Sequence, residues 1–224
     1  MKVKKALVIA THYDDETIGC GGTIQKLIKE KKQVCFLIIS DPSGYVKNRK
    51  ELKKRYDEIN RIKNFYKNVK FFELNYPASK IYKIDKSKFI EDVSNILNKI
   101  KPDTIFLNHY NDSHSDHRVT FENLRFFMKS FRYKYIKNVL MMEIISETDQ
   151  GLGILFHTFK PNIFINIEKY FNLKLKASKI YKSQIGKKPF PRNLENIKAL
   201  AIHRGGQSGY KYAEAFMLIK SNID

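Results

Sequence analysis

The chain has 224 residues, 42% apolar and 13% aromatic, enough to bury one α/β core, with no run near the roughly 20 apolar residues of a membrane-spanning helix. Its 42 Lys and Arg against 23 Asp and Glu give a formal charge of +19, and its two cysteines, Cys20 and Cys35, exclude a disulfide framework. One domain over residues 1–224, located in the cytoplasm, is expected.

The opening MKVKKALVIA sets basic residues before an apolar run, as a signal peptide does. The run is short and enters an acidic cluster without a cleavage site, so Val3 to Ala10 reads as a buried first strand. Gly19, Gly21 and Gly22 then precede a helix over Thr23 to Lys32, with Ile24, Leu27 and Ile28 at helical spacing, and Cys35 to Ser40 reads as a second strand. Lys47 to Tyr66 is a charged helix with an apolar stripe through Leu52, Tyr56, Ile59 and Ile62, followed by a strand over Val69 to Leu74. A helix over Phe89 to Ile100, closed by Lys101-Pro102-Asp103, leads into the strand Thr104 to Asn108. Helices over Val119 to Phe131, Leu173 to Gln184 and Asn193 to His203, and strands over Asn138 to Ile145, Ile163 to Ile167 and Ala213 to Ile219, complete the pattern. This alternation predicts an α/β fold, a mainly parallel sheet with helices on both faces.

Two polar clusters interrupt the pattern. His12, Asp14, Asp15 and Glu16 follow the first strand, and Asn108 to His117, ending in the HSDH stretch, follows the TIFLN strand. Ligands of open parallel sheets bind beyond the carboxyl ends of strands, near the point where strand order reverses, so neighbouring strands would bring both clusters to one crevice. A catalytic zinc takes three protein ligands and keeps a fourth position for water. His12, Asp15 and one histidine of HSDH supply that number, and they leave Asp14 as a candidate base toward water. The glycines lack the spacing of a dinucleotide fingerprint.

The charge is carried mostly by lysines spread over predicted helix faces, such as Lys26, Lys29, Lys50 and Lys53. No zinc-finger spacing or RNA-binding signature accompanies them, and specific nucleic-acid recognition is not expected. A phosphate- or nucleic-acid-binding module is the reading from another class. It is disfavoured because acids at the crevice repel phosphates unless a cation covers them.

The segment T-H-Y-D-D-E-T-I-G-C-G-G-T-I (Thr11 to Ile24) resembles the A-H-P-D-D-E-x-x-x-G-G signature of the LmbE-like (PIG-L) metal-dependent N-deacetylases, and H-S-D-H-R (His114 to Arg118) resembles their H-x-D-H-R element. Weaker matches at Arg55 to Glu58, Pro161-Asn162, Y-K-S-Q (Tyr181 to Gln184) and Y-A-E-A-F (Tyr212 to Phe216) extend the likeness over nearly the whole chain. The resemblance implies a Rossmann-like three-layer α/β/α fold and removal of the acetyl group from an N-acetylglucosamine-like sugar. It implies His12, Asp15 and His117 as ligands of Zn2+, with Fe2+ suited to the same donors, and Asp14 as general base. His114 would face the developing oxyanion or the leaving amine, and Asp116 would orient an imidazole.

Tyr13 stands where the family usually has proline, which adds a side chain near the metal. Tyr13, Arg49, Arg55 and Glu143 are candidate substrate contacts, with Ser146 and Glu147 beside the last of these; charge pairing on a solvated helix explains Arg55 and Glu58 equally well. The positive field favours an anionic acceptor, such as a nucleotide-, lipid- or glycan-linked sugar. An amidase acting on a sugar-thiol conjugate is the nearby alternative, and the oligomeric state is left open.

Overall fold

A computed structural model describes residues 2–153 and 158–223; His157, expected to be structural, lies outside the described residues. Seven strands form one sheet: β1 (Lys5–Ala10), β2 (Gln33–Asp41), β3 (Lys70–Pro77), β4 (Thr104–Leu107), β5 (Asn138–Met142), β6 (Ile163–Asn166) and β7 (Ala213–Ser221). Their spatial order is β3-β2-β1-β4-β5-β7-β6. β1 to β5 pair in parallel, while β7 runs antiparallel to both β5 and β6. The chain winds from β1 outward to β3 and then returns to place β4 on the other side of β1, which makes the β1/β4 boundary the switch point.

Alternation along the central strands sorts the core into two layers. Ala6, Val8, Phe36 and Ile38 face α1 (Asp15–Lys29), α2 (Arg49–Phe65) and α5 (Phe171–Ser178), through Ile24, Ile62 and Ala177 among others. Leu7, Ile9, Leu37 and Ile105 face α3 (Lys86–Ile100) and α4 (Ser115–Leu124), through Val93, Leu97 and Leu124. α6 (Leu194–Gly206) packs its Ala201 against Ile167 and Phe171. The result is the expected three-layer α/β/α arrangement, and among the described residues no helix is long and apolar enough to cross a membrane.

Most helix boundaries differ from the sequence reading by a few residues, α4 ending at Leu124 rather than Phe131, and three of the differences bear on the site. α1 begins at Asp15 rather than Thr23 and runs through the glycines, with a kink at Cys20 (φ −145°, ψ 24°). The glycines serve close packing: a Cβ on Gly19 would lie 2.7 Å from Ile144, and one on Gly22 2.8 Å from Ile167. α4 begins at Ser115 rather than Val119, because the His114 side chain accepts the Asp116 backbone N–H and caps the helix. α5 closes at Ser178 rather than Gln184, leaving Ser183 free to donate its backbone N–H to Glu58.

The kink in α1 exposes backbone donors inside the protein, and β7 satisfies them. Glu214 accepts the N–H of Gly22 (2.9 Å) and of Thr23 (2.7 Å), while Lys174 donates to Glu214 (2.6 Å) and to the Ile18 carbonyl (2.7 Å). Both partners are buried, so truncating one leaves an uncompensated charge. The Glu214→Ala variant is expected to lose about 3–5 kcal/mol of unfolding free energy, read by denaturant titration.

Candidate active site

β1 and β4 end side by side, with Ile9 opposite Leu107, so the segments that follow them leave the same edge of the sheet. Asn108 ties the two exits together: its Oδ1 accepts from the Thr11 N–H (3.1 Å) and the Thr11 hydroxyl (3.0 Å). His12, Asp14, Asp15, His114 and His117 thereby border one cleft of about 320 Å³.

The hydrogen-bond partners fix how the imidazoles present their lone pairs. His117 Nδ1 lies 2.7 Å from Asp112 Oδ2, which holds a proton on Nδ1 and directs Nε2 into the site as the nitrogen that would meet an ion. His12 Nε2 lies 3.2 Å from Asp116 Oδ2, which in the same way leaves its Nδ1 bare. These two nitrogens are 3.1 Å apart, and Asp15 Oδ2 is 3.3 Å from the first and 3.8 Å from the second. Three donors facing one another at that range repel unless a proton or a cation lies between them. A tetrahedron built on bonds of about 2.0–2.1 Å has edges of about 3.3–3.4 Å, so the donor set fits a divalent ion such as zinc in spacing and in type.

His12, His114 and Asp116 also bring donor atoms within 4.8 Å of one another, as do His12, Asp15 and His117. The first of these groups is committed elsewhere: His114 Nδ1 accepts the Asp116 N–H, and Asp116 Oδ2 accepts the Ser79 N–H. His12, Asp15 and His117 are the group whose inward-facing donor atoms could meet on one ion.

Each remaining charge has its own partner. Asp14 is buried and takes φ 122°, a conformation that costs a residue with a side chain about 1–3 kcal/mol. Its carbonyl accepts the Ile18 N–H (2.8 Å), and its carboxylate meets Arg192 Nη1 at 2.8 Å. Burial pushes the Asp14 carboxyl up, with Arg192 pulling the other way. Burial opposes ionisation of Asp15 as well, but His117 and His12 hold it well below the usual carboxylate range. Glu16 turns inward, accepts the Tyr181 hydroxyl at 2.8 Å and the Thr17 hydroxyl at 2.6 Å, and is pushed up to about 7 by burial. His114 is pushed down to about 4 by burial and by His12 and His117, so near neutrality it is an uncharged imidazole. With its Nδ1 accepting from the backbone, its Nε2 carries the hydrogen.

The candidate substrate contacts divide. Arg55 borders the cleft, paired with Glu58 at 3.2 Å, and Glu58 also accepts the Ser183 hydroxyl at 2.6 Å. Arg55 and Glu58 are thus a buried pair, not charges on a solvated helix face. Tyr13 touches the cleft, but its hydroxyl leaves the metal site and donates to Glu73 of β3 (2.6 Å) while the ring stacks on Phe71. Arg49 is exposed at the first turn of α2 and does not border the cleft. Glu143 does not border it either: it pairs with Arg204, which α6 brings across from its last turn. His109 is buried, and His203 is exposed on α6. Ser146 and Glu147 lie at the site and accept from Arg192 Nε (3.0 Å) and Nη2 (2.9 Å).

Two residues at the centre carried no sequence signal of their own. Asp112 stood within the second polar cluster, where nothing distinguished it from its neighbours. Arg192 stands 178 residues from Asp14, and no spacing rule connects them.

Fold and site together define an α/β protein whose switch point carries a donor set of the metal-binding kind. The model of the PIG-L family (GlcNAc-PI de-N-acetylase) matches residues 7–126, more than half of the chain, and the chain belongs to that family. It is 26% identical over 232 residues to diacetylchitobiose deacetylase of Thermococcus kodakarensis, covering 97% of this chain and 84% of that relative. Among solved structures it resembles N,N'-diacetylchitobiose deacetylase of Pyrococcus horikoshii, with a TM-score of 0.75 and 23% identity over 98% of this chain and 85% of that one. It also resembles the conserved protein TT1542 of Thermus thermophilus, with a TM-score of 0.77 and 20% identity over 100% of this chain and 97% of that one.

In the absence of metal, burial works against the His117 imidazolium, but Asp15 and Asp112 raise it to about 10. An arriving ion must displace that proton, so between pH 7 and 9 apparent affinity is expected to rise about tenfold per pH unit. Calorimetry in buffers of different ionisation enthalpy should read about one proton released per ion. Asp112→Asn, which weakens the hold on His117 Nδ1, is expected to lower metal affinity about 10–100-fold at constant pH.

Proposed function

We propose that the protein is a divalent-metal-dependent N-deacetylase that hydrolyses the acetamido group of an amino sugar to a free amine and acetate. The observation that carries this reading is the pairing of a three-donor metal site with a separate carboxylate, Asp14, on the same cleft. The two deacetylases reported above are named for diacetylchitobiose, which contains that acetamido group.

His12, Asp15 and His117 would hold the ion, with zinc the first candidate. When bound, such an ion supplies Lewis acidity toward water and toward an amide carbonyl. The chain's own residues account for the proton movements. The Asp14 carboxylate takes the proton of the attacking water as the carbon–oxygen bond forms, and returns it to nitrogen as the carbon–nitrogen bond breaks. Arg192 holds one carboxylate oxygen of Asp14 and leaves the other for that proton. His114 Nε2–H donates to the carbonyl oxygen as charge gathers there, a kind of interaction commonly worth about 2.7–4 kcal/mol of barrier. Its depressed pKa suits it to donate as a neutral imidazole, which assigns the amine's proton to Asp14.

The acceptor reading shifts from the anionic sugar expected from net charge toward a neutral one. Both arginines of the cleft are engaged, Arg55 with Glu58 and Arg192 with Asp14 and Glu147. Among the described residues no lysine borders the cleft.

Acetate released from a panel of N-acetylated amino sugars by metal-loaded protein tests this reading, and absence of acetate from every member would overturn it. Asp14→Asn keeps the shape of the side chain and removes the base. It is expected to lower kcat by about 10²–10⁴ with bound metal unchanged.

A further inference from the structure

Two neighbours in sequence leave β1 in opposite directions. His12 turns toward the β4 side, where its imidazole meets His117 and Asp116 of α4. Tyr13 turns toward the β3 side, and because β2 lies between β1 and β3, its side chain spans the width of a strand to reach its partners. Asp14 follows with its φ of 122°, and α1 begins one residue later.

Tyr13 is only 4% exposed, and every part of its side chain is engaged. The hydroxyl donates to Glu73 Oε1 at 2.6 Å, and the ring stacks on Phe71 with centroids 6.5 Å apart and planes 20° from parallel. Lys63 of α2 completes the anchor: its Nζ donates to the other oxygen of Glu73 at 2.7 Å and stands 5.8 Å from the centre of the Tyr13 ring. A hydrogen bond to a carboxylate is stronger than one between neutral groups. Phe71 is braced edge-on by Phe36 of β2 at 4.9 Å, so the anchor belongs to the sheet and not to the loop.

The peptide unit is planar, so the φ of Asp14 alone sets the angle between the Tyr13–Asp14 peptide and the start of α1. On the helix side the Asp14 carbonyl is fixed by the N–H groups of Thr17 (3.0 Å) and Ile18 (2.8 Å). On the strand side the Asp14 N–H donates to Glu16 Oε2 (3.0 Å), and the Tyr13 carbonyl accepts from Arg55 Nη2 at a long 3.4 Å. Relaxing φ to a negative value swings the Tyr13 peptide against the helix, which lifts the ring off Phe71 and parts the hydroxyl from Glu73. Strained backbone persists only where its surroundings over-determine it. The joint matters because His12 lies on its strand side, and Asp14 and Asp15 lie on its helix side.

We infer that Tyr13 is a positioning residue: anchored on β3, its side chain holds the strained joint at Asp14 and so fixes His12 against Asp14 and Asp15. The inference rests on the deacetylase reading above for the part played by Asp14 as base. The joint itself is open to a measurement that needs no substrate.

The test measures zinc affinity of the full-length protein by competition with a chelating indicator at one pH. It places Tyr13→Phe, which keeps the ring and removes the hydroxyl, in three backgrounds. In otherwise wild-type protein and in Asp14→Ala, which keeps a Cβ at the strained position, Tyr13→Phe is expected to lower affinity about threefold to tenfold. In Asp14→Gly, where positive φ costs nothing, the same change should lower it less than about twofold. Glu73→Leu should reproduce the effect of Tyr13→Phe, and the double variant should add less than about twofold to either. With saturating zinc, Tyr13→Phe is expected to lower kcat for acetate release about threefold to tenfold and to leave KM within about twofold. Equal losses of affinity in the alanine and glycine backgrounds overturn the inference, as does unchanged affinity in Tyr13→Phe. The expected affinity pattern without acetate from any N-acetylated sugar refutes the deacetylase reading and supports the role of Tyr13 at the joint.

Discussion

Everything at the centre of this molecule depends on two imidazole nitrogens and a carboxylate oxygen being turned, unprotonated, toward one point. Left to themselves, histidines so close would share or acquire protons. Asp112 behind His117 and Asp116 behind His12 hold the outer nitrogens, so that the inner ones present lone pairs once an ion takes the place of any proton there. The outer carboxylates are anchored in turn, Asp112 by the Thr148 hydroxyl at 2.7 Å and Asp116 by the backbone of Ser79. The negative charge gathered there attracts either a proton or a metal ion, and the same field that lifts the His117 pKa in the apo protein favours a divalent cation.

Four ionisable residues within five positions can coexist because their side chains depart in different directions. A helix turns by about 100° per residue, so Asp15 and Glu16 in the first turn of α1 diverge, one toward the donor set and the other into the core. Asp14 is directed elsewhere by its positive φ, toward Arg192 and the open cleft. His12 stands before the helix, where its backbone N–H donates to Asp15 Oδ2 at 2.9 Å. Repulsion among neighbours in sequence is thus exchanged for attraction to partners remote in sequence, and the strain at Asp14 is the local cost of that exchange.

The parts of this arrangement visible in the sequence are those governed by period and by strand position. Buried β-branched runs located β1, β2 and β4, and their ends placed both polar clusters at the edge where they meet. What could not be seen was whatever depends on long-range partners. Gly19 and Gly22 looked like a turn because nothing local reveals that Ile144 and Ile167 crowd that side of a helix. Tyr13 looked like a neighbour of the metal because its direction is set by Glu73 and Phe71 on β3. Glu143 follows a strand at the correct edge, but it is drawn off by Arg204, a residue of the last helix. Arg192 is one arginine among many until the fold brings it to Asp14.

The site's precision also reaches into the last strand of the chain. The start of α1, which carries Asp15 and follows Asp14, is useful only if it cannot shift, and a helix kinked at Cys20 has two halves that must be fixed separately. Glu16 fixes the first half through Tyr181, from the segment that follows α5. Glu214 fixes the second half from β7, accepting two of its N–H groups, and Lys174 of α5 spans the kink by donating to Ile18 on one side and Glu214 on the other. A supporting shell of this kind is what holds reactive groups to within fractions of an ångström. The sequence around Glu214 therefore belongs to the site as much as the acids near the N-terminus do: loosening β7 would release the helix that aims them.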